Sequence, residues 1–516
     1  MEENRKIVRT AGIVSGATLI SRLTGLARDQ VTALFFGDSP AAAAFLVAFR
    51  IPNLLRRLLA EGALTVAFVP VFTQTLTAGG REAAQSLFQK MFTLMTLTLV
   101  LVCALGNLFA PQIVGIMAPG FGVDQTELTV RLTRLLFPYI FFMGLGALLM
   151  GALNAGGFFA APALGPVMGN LGLIIAAFTL TPSLSPPILA LAAGVLAGGL
   201  FHLVIQLPSL WKMGLKPRLD FHFRDPGVKA ILVTMAPAAL GAAVYQLSVF
   251  INTILASFLP GGSIPWLYYA DRLMQFPLGV FSMAIAAAAL PALSRLAASG
   301  DRAGFMASAH FALALSFFIT APAMAGLIVL AEPLVAFLFE RGEFTRASTL
   351  GTAQALQAFA LGLPFLSGSG ILARIFYSRR DTRTPTLVAA GSLAFGLAAA
   401  LVLMGPLKHQ GLALSSSLAS LFNFLWLYFL LARRDLDFPR GRLAAEIAGY
   451  FILALIMGAA LRPMSEWALA APGFAILAGR TLSALAAGIV LYFGLSLLTR
   501  RPQMAPLLRL IKRKPN

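Results

Sequence analysis

Arginine inside apolar sequence carries most of the chemistry this chain can offer. Arg22, Arg28, Arg50, Arg56, Arg57, Arg131, Arg134, Arg272, Arg374 and Arg480 fall within or at the edges of long hydrophobic stretches. A guanidinium stays charged at physiological pH and donates bidentately to oxyanions. At the centre of a lipid-facing helix each one costs at least ~2.5–3.5 kcal/mol, so several in one bundle call for a shared aqueous cavity or for partners. The carboxylates read in the same stretches are Asp29, Glu61 and Asp271, too few to neutralise the group. Such a surplus is a receptor for a phosphate or diphosphate.

Spacing sorts these residues. Arg131, Arg134, Arg374 and Arg480 lie near stretch ends, where the side chain snorkels to headgroups. In VSGATLISRLTGLARDQVTALFF, Arg22 and Arg28 are about 120° apart on an unbroken helix. A bend near Gly25 would let both line one cavity, and Asp29 is expected to orient the helix or hold an arginine from another one. In FLVAFRIPNLLRRLLAEGALTVAFVPVF, Pro52 removes a backbone hydrogen bond and Glu61 sits one turn beyond Arg57. An Arg57–Glu61 pair leaves Arg56 to face a ligand. In IPWLYYADRLMQFPLGVF, adjacent Asp271 and Arg272 cannot share a face, so Arg272 is expected to look inward and Asp271 to tie helices together.

The elements that must position these side chains are membrane helices. The 516 residues are 58% hydrophobic and 11% charged, with a mean hydropathy of +0.84, which excludes an ordinary soluble globular protein. Each span needs roughly 20 apolar residues. Spans are expected at 7–36, 43–73, 86–117, 127–153, 158–181, 187–211, 228–258, 265–296, 305–336, 347–377, 384–404, 410–432, 443–461 and 474–499, fourteen helices in an all-α membrane protein. On this topology one set of loops holds about 25 Lys and Arg and the opposite set about four, Arg341, Arg346, Lys408 and Arg462, which places both termini in the cytoplasm of an inner-membrane protein.

Other chemistries find no footing. Cys103 is the only cysteine, and His202, His222, His310 and His409 are scattered singly, so no metal site, cofactor or catalytic constellation is expected. The net charge of +19 sits in short loops and marks topology, not a nucleic-acid-binding face. No cleavable leader is expected after MEENRKIVRT. The tail MAPLLRLIKRKPN has the pattern of a basic amphipathic segment at an anionic membrane surface, or of a solvated positive-inside tail. Pro70, Gly79 and Arg81 align with Pro291, Gly300 and Arg302, and Pro138 and Gly144 with Pro364 and Gly370; an offset of an even number of spans reads as a parallel internal repeat.

The segments SRLTGLARD, FRIPNLLRRLLAEGALTVAFVPVF, YYADRLMQFPLG, FERGEFT and LARIFYSRRDTRTP carry a resemblance over the whole chain, in order and spacing. The chain resembles the lipid II flippase family (MurJ/MviN), a branch of the multidrug/oligosaccharidyl-lipid/polysaccharide exporter superfamily. The resemblance implies six helices in a first lobe and eight in a second around a V-shaped central cavity. The expected division is 1–211 for the first lobe, 212–227 for a cytoplasmic loop, 228–433 for the second, 434–499 for a groove holding a polyprenyl tail, and 500–516 for the basic tail. It also implies that Arg22, Arg28, Arg56 and Arg272 hold the diphosphate of lipid II, with Ser21, Gly25, Asp29, Asn53, Arg57, Glu61 and Asp271 as the supporting polar and charged set. Ala43 and Gln275 stand where relatives carry acids, which removes those carboxylates from any gating or proton-coupling role. Sodium coupling lacks hard oxygen ligands, because the spans at 228–258, 384–404 and 410–432 contain no Asp or Glu.

The expected partners are lipid II and membrane lipids, with no nucleic acid, and the sequence leaves the oligomeric state open, a monomer included. A drug exporter of the same superfamily would prefer an acidic or aromatic cavity, whereas an exporter of another lipid-linked glycan would share the arginines. A membrane-embedded polyprenyl-phosphate enzyme would need paired acids or a metal site near the interface. A purely structural scaffold would leave the buried arginines without a reason.

Overall fold

A computed structural model describes residues 2–56, 64–434 and 438–504, apart from the side chains of 2–11, 13–15 and 236–248. Arg57, Glu61 and the tail from 505 onward lie outside the described residues. Among the described residues there are helices, turns and loops and no strand. In a membrane every backbone N–H and C=O must be satisfied within its own segment, and a helix does this locally.

The chain divides into two compact units, 1–261 with 341–344, and 262–340 with 345–516. The first holds α1 (Glu2–Phe36), α2 (Pro40–Arg56), α3 (Thr65–Ala78), α4 (Gly80–Leu108), α5 (Ala110–Met117), α6 (Val123–Leu136), α7 (Pro138–Ala155), α8 (Ala160–Leu180), α9 (Leu189–Val204), α10 (Leu207–Lys212) and α11 (Pro226–Ser257). α8 packs on both α1 and α9. Glycine permits the α8–α9 approach, since a Cβ on Gly172 would lie 2.6 Å from the Gly198 Cα.

The basic loop after α10 is pinned along α4. Lys216 N–H donates to Gln85 Oε1 at 2.8 Å and its carbonyl accepts from Gln85 Nε2 at 2.8 Å, while Asp220 N–H donates to Thr93 Oγ1 at 2.7 Å. Lys90 pairs with Asp225 at 2.7 Å, and Asp225 caps α11 by accepting from Gly227 N–H at 2.8 Å. Burial raises the Asp225 carboxyl, but Lys90 and the cap outweigh it and leave it below the usual range. By contact α11 belongs with the first unit, where it packs on α3, α4 and α5. This division falls later in the chain than the 212–227 loop, because charge marks where the chain leaves the membrane, not which helices α11 touches.

The second unit holds α12 (Ser263–Pro277), a π turn (Leu278–Ser282), α13 (Met283–Ala298), α14 (Arg302–Val329), α15 (Ala331–Phe339), α16 (Arg346–Ala360), α17 (Leu363–Ser378), α18 (Arg383–Arg434), α19 (Arg440–Leu469) and α20 (Phe474–Leu498). Its core is aromatic. Phe317 meets Phe424 at 5.1 Å between centroids, Phe318 meets Tyr450 and Tyr492 at 5.4 Å, and the Tyr492 hydroxyl donates to the Phe318 carbonyl at 2.8 Å. α18 is two helices joined at Lys408, whose backbone (φ 50°, ψ −128°) is not helical. The halves lie side by side, with Phe395 stacked on Phe422 at 4.6 Å, so the separate stretches 384–404 and 410–432 each form a helix.

Nine described helical segments are long and apolar enough to cross a membrane, or ten if α16 and α17, bent by 41°, count as one. That count takes α18 as one segment. α1 falls short because Arg22, Arg28 and Asp29 dilute its apolar run, and 57–63 between α2 and α3 lie outside the described residues. The chain is a multi-pass helical membrane protein.

Candidate substrate site

The candidate residues rest mainly on α1, α2 and α12. α1 runs as one helix through Gly25. Gly25 faces α8, and a Cβ on it would meet Asn170 Nδ2 at 3.6 Å, an ordinary packing distance. Asn170 is buried and clamps this stretch of α1. Its Nδ2 donates to the Ser21 carbonyl at 3.2 Å and to Thr24 Oγ1 at 3.1 Å, and its Oδ1 accepts from Arg28 Nη1 at 3.2 Å.

Arg28 also turns back on its neighbour. Nε and Nη2 both reach Asp29 Oδ1, at 3.1 and 2.7 Å, with the two side chains 16% and 5% exposed. Adjacent helical residues diverge by about 100°, so the pair forms because the long arginine stem curls around. Asp29 therefore partners an arginine of its own helix. The arrangement fixes the Arg28 plane before any ligand arrives, and an incoming dianion competes with one carboxylate oxygen and one neutral amide. Arg22 lies six residues earlier on the same helix and is half-buried.

On α2, Arg56 places Nε at 3.0 Å and Nη2 at 2.9 Å from Asn53 Oδ1. This i,i+3 amide contact orients the guanidinium without neutralising it. Arg50 donates to Thr253 on α11, a contact with no local sequence signal. Ala43 is 5% exposed in the apolar core.

On α12, in the second unit, Arg272 lies over the Tyr268 ring at 5.4 Å, and its Nε and Nη2 are each 3.4 Å from the Tyr268 hydroxyl. Asp271 accepts from the Gln275 amide. The two neighbours do reach different partners, and these contacts stay on their own helix at i±4. Gln275 as a neutral donor suits a resident carboxylate better than a second acid.

The edge arginines bind carbonyls and rings. Arg134 Nε donates to the Asn107 carbonyl at 3.3 Å, Arg374 Nη1 to the Gly370 carbonyl at 2.7 Å and Arg480 Nη1 to the Trp467 carbonyl at 2.7 Å, with Arg480 also 4.6 Å over the Trp467 ring. The count of three carboxylates within spans needs correction, because Glu446 on α19 is 9% exposed and takes Arg442 Nε at 3.1 Å and Gln503 Nε2 at 3.3 Å. Near the start of its span it reads as an edge residue, and the chain after α20 folds over it. Sequence reading also missed Asn170, 142 residues from Arg28; a polar residue within an apolar stretch was its only signal.

Comparison with known proteins places these residues in context. The profile of the family described as lipid II flippase MurJ matches residues 32–478. The lipid II flippase MurJ of Burkholderia cenocepacia is 38% identical over 432 residues, covering 83% of this chain and 84% of the relative. A relative assigned to the same family in Vibrio cholerae is 36% identical over 434 residues, covering 82% and 83%. Among solved structures, a lipid II flippase MurJ in an inward closed conformation matches with a TM-score of 0.79 at 26% identity, over 94% of this chain and 98% of that one. An inward-facing multidrug resistance MATE transporter shares the fold, with a TM-score of 0.69 at 18% identity, over 83% and 95% of the two chains.

Proposed function

The chain belongs to the lipid II flippase MurJ family, and on that premise we propose that it carries undecaprenyl-diphosphate-linked peptidoglycan precursor from the cytoplasmic to the periplasmic leaflet of the bacterial inner membrane. It is a transporter and not an enzyme. In the proposed architecture fourteen spans form lobes of six and eight helices around a V-shaped cavity, the second half repeats the first in parallel, both termini are cytoplasmic, and 434–499 cradle the polyprenyl tail. The two lobes, 1–211 and 228–433 with its extension, rock about a central site in alternating access.

Arg22, Arg28, Arg56 and Arg272 take the diphosphate in this reading. The observation that carries it is the preset Arg28 guanidinium, held by Asp29 and Asn170 in the interior of an apolar unit. A neutral or cationic drug gains nothing from such a group, whereas a diphosphate gains charge-assisted bonds worth about 1.5–3 kcal/mol each. Asp29, Asp271, Ser21, Gly25 and Asn53 orient the arginines, and Arg57 and Glu61 complete the set. Membrane potential acting on the charged chamber, worth ~2.3 kcal/mol per charge per 100 mV, supplies a driver.

Translocation of fluorescent lipid II in proteoliposomes tests the reading. Arg22→Ala, Arg28→Ala and Arg272→Ala should each insert normally and lose transport. Wild-type rates in all three would refute the assignment.

A further inference from the structure

Arg272 sits on a helix whose register ordinary α-helical geometry does not fix. Five residues beyond it, Pro277 lacks an N–H, and Leu278–Ser282 then form a π turn in which Met283 N–H donates to the Leu278 carbonyl five residues back. A π turn holds one residue more than an α turn. It therefore rotates α12 against α13 by about 100°. The direction in which Arg272 points relative to α13 depends on whether the extra residue stays in the turn.

Side chains from two other helices hold that turn. Ser367 Oγ on α17 donates to Ser282 Oγ at 2.6 Å, and Ser316 Oγ, midway along α14, lies 2.6 Å from Ser367 Oγ. Ser367 gives its single proton to Ser282, so Ser316 is the donor to Ser367. The three serines are 7%, 3% and 0% exposed, and the rings of Phe317, next in sequence to Ser316, and Phe365, two residues before Ser367, meet with centroids 6.1 Å apart. Hydroxyls buried in an apolar membrane bundle find no bulk water, so any other register would break these inter-helix bonds and leave the serines only the carbonyls of their own helices. Small residues at 282, 316 and 367 would pack as well if space alone mattered, and alanine would then serve.

We propose that Ser282, Ser367 and Ser316 form a hydroxyl chain that pins the π turn to α17 and α14, making them positioning residues for Arg272. The link to transport rests on Arg272 being a substrate arginine, whereas the pinning of the register does not.

The test uses the full-length protein in a Cys103→Ser background, with single cysteines scanned along 267–276 and 284–293 and labelled by maleimide in membranes. In the parent the accessible faces of the two stretches are offset by about 100°. Ser367→Ala should collapse the offset and lower lipid II translocation about tenfold at unchanged membrane level. Ser367→Thr, which keeps the hydroxyl, should preserve both, and deleting Gly279 should collapse the offset by removing the extra residue. An unchanged offset in Ser367→Ala and in the Ser316→Ala, Ser367→Ala double variant overturns the proposal, and, where Arg272→Ala loses transport, so does a collapsed offset with full translocation. Arg272→Ala assayed in parallel keeps the two claims apart, because normal transport there removes the substrate role of Arg272 and leaves the pin to be judged by the labelling offset alone.

Discussion

Arg28 donates to one carboxylate oxygen and one neutral amide oxygen, and the charge on each partner decides how readily the guanidinium turns to an anion. Asn170→Ala removes the neutral partner and the ties to Ser21 and Thr24, and should lower lipid II binding about three- to tenfold through loss of about one hydrogen bond. Asn170→Asp is nearly isosteric but gives Arg28 a second carboxylate, so binding should fall by more than about tenfold, which a titration of lipid II against each purified variant would measure. Equal effects of the two changes would mean that Asn170 only packs α8 on α1. At this scale the sequence revealed which arginines are expensive, because charge in an apolar run is visible without a fold. It did not reveal Asn170 or Thr253 as partners, since a contact between distant segments leaves no local pattern. A bend at Gly25 is one way to bring Arg22 and Arg28 to one cavity, and α1 is one helix through that glycine.

Elements add constraints that single side chains do not show. The loop residues Arg341–Phe344 group with the first unit, where Glu343 N–H donates to the Leu34 carbonyl at 2.9 Å. Gly37 and Gly342 make the approach feasible, at φ +53° and +57°; a Cβ on them would lie 2.1 Å from the Glu343 oxygen and 2.3 Å from the Leu34 oxygen. Gly37→Ala should therefore destabilise by about 2 kcal/mol or more, from left-handed strain plus the clash, whereas Gly261→Ala, with open space around it, should leave the melting temperature in detergent nearly unchanged. Equal melting temperatures for the two variants would contradict the packing.

The loop after α17 carries a pH signature. The Thr384 N–H, the Arg434 guanidinium and the Thr384 hydroxyl hold the Asp381 carboxyl down to about 2 from 3.8. A depressed carboxylate contributes stability that is present above its unfolded value and lost as pH falls through its folded one. The stability difference between wild type and Asp381→Asn should thus be constant above about pH 5, below about 1 kcal/mol for so exposed a pair, and fade between 3.8 and about 2. A difference that grows toward acid would contradict the assignment. Hydropathy made most helices legible, and the break in α18 followed from polar residues at Lys408 and His409. The π turn had Pro277 as its only clue, and proline alone does not distinguish a kink from an added residue.

For the molecule as a whole, the alternation of apolar stretches with basic loops made a multi-pass helical transporter readable before any coordinates, because lipid imposes its length and charge rules locally. The contact grouping of α11 was not readable, since it depends on which faces meet. The central claim joins arginines from both compact units on one lipid diphosphate. The most direct measurement is the affinity of purified protein for lipid II against its diphosphate-free polyprenol analogue, in wild type, Arg28→Ala and Arg272→Ala. The account predicts strong preference for the diphosphate in wild type and at least about a tenfold loss of that preference in each variant, although the two residues lie in different units. Undiminished preference in either variant would contradict it.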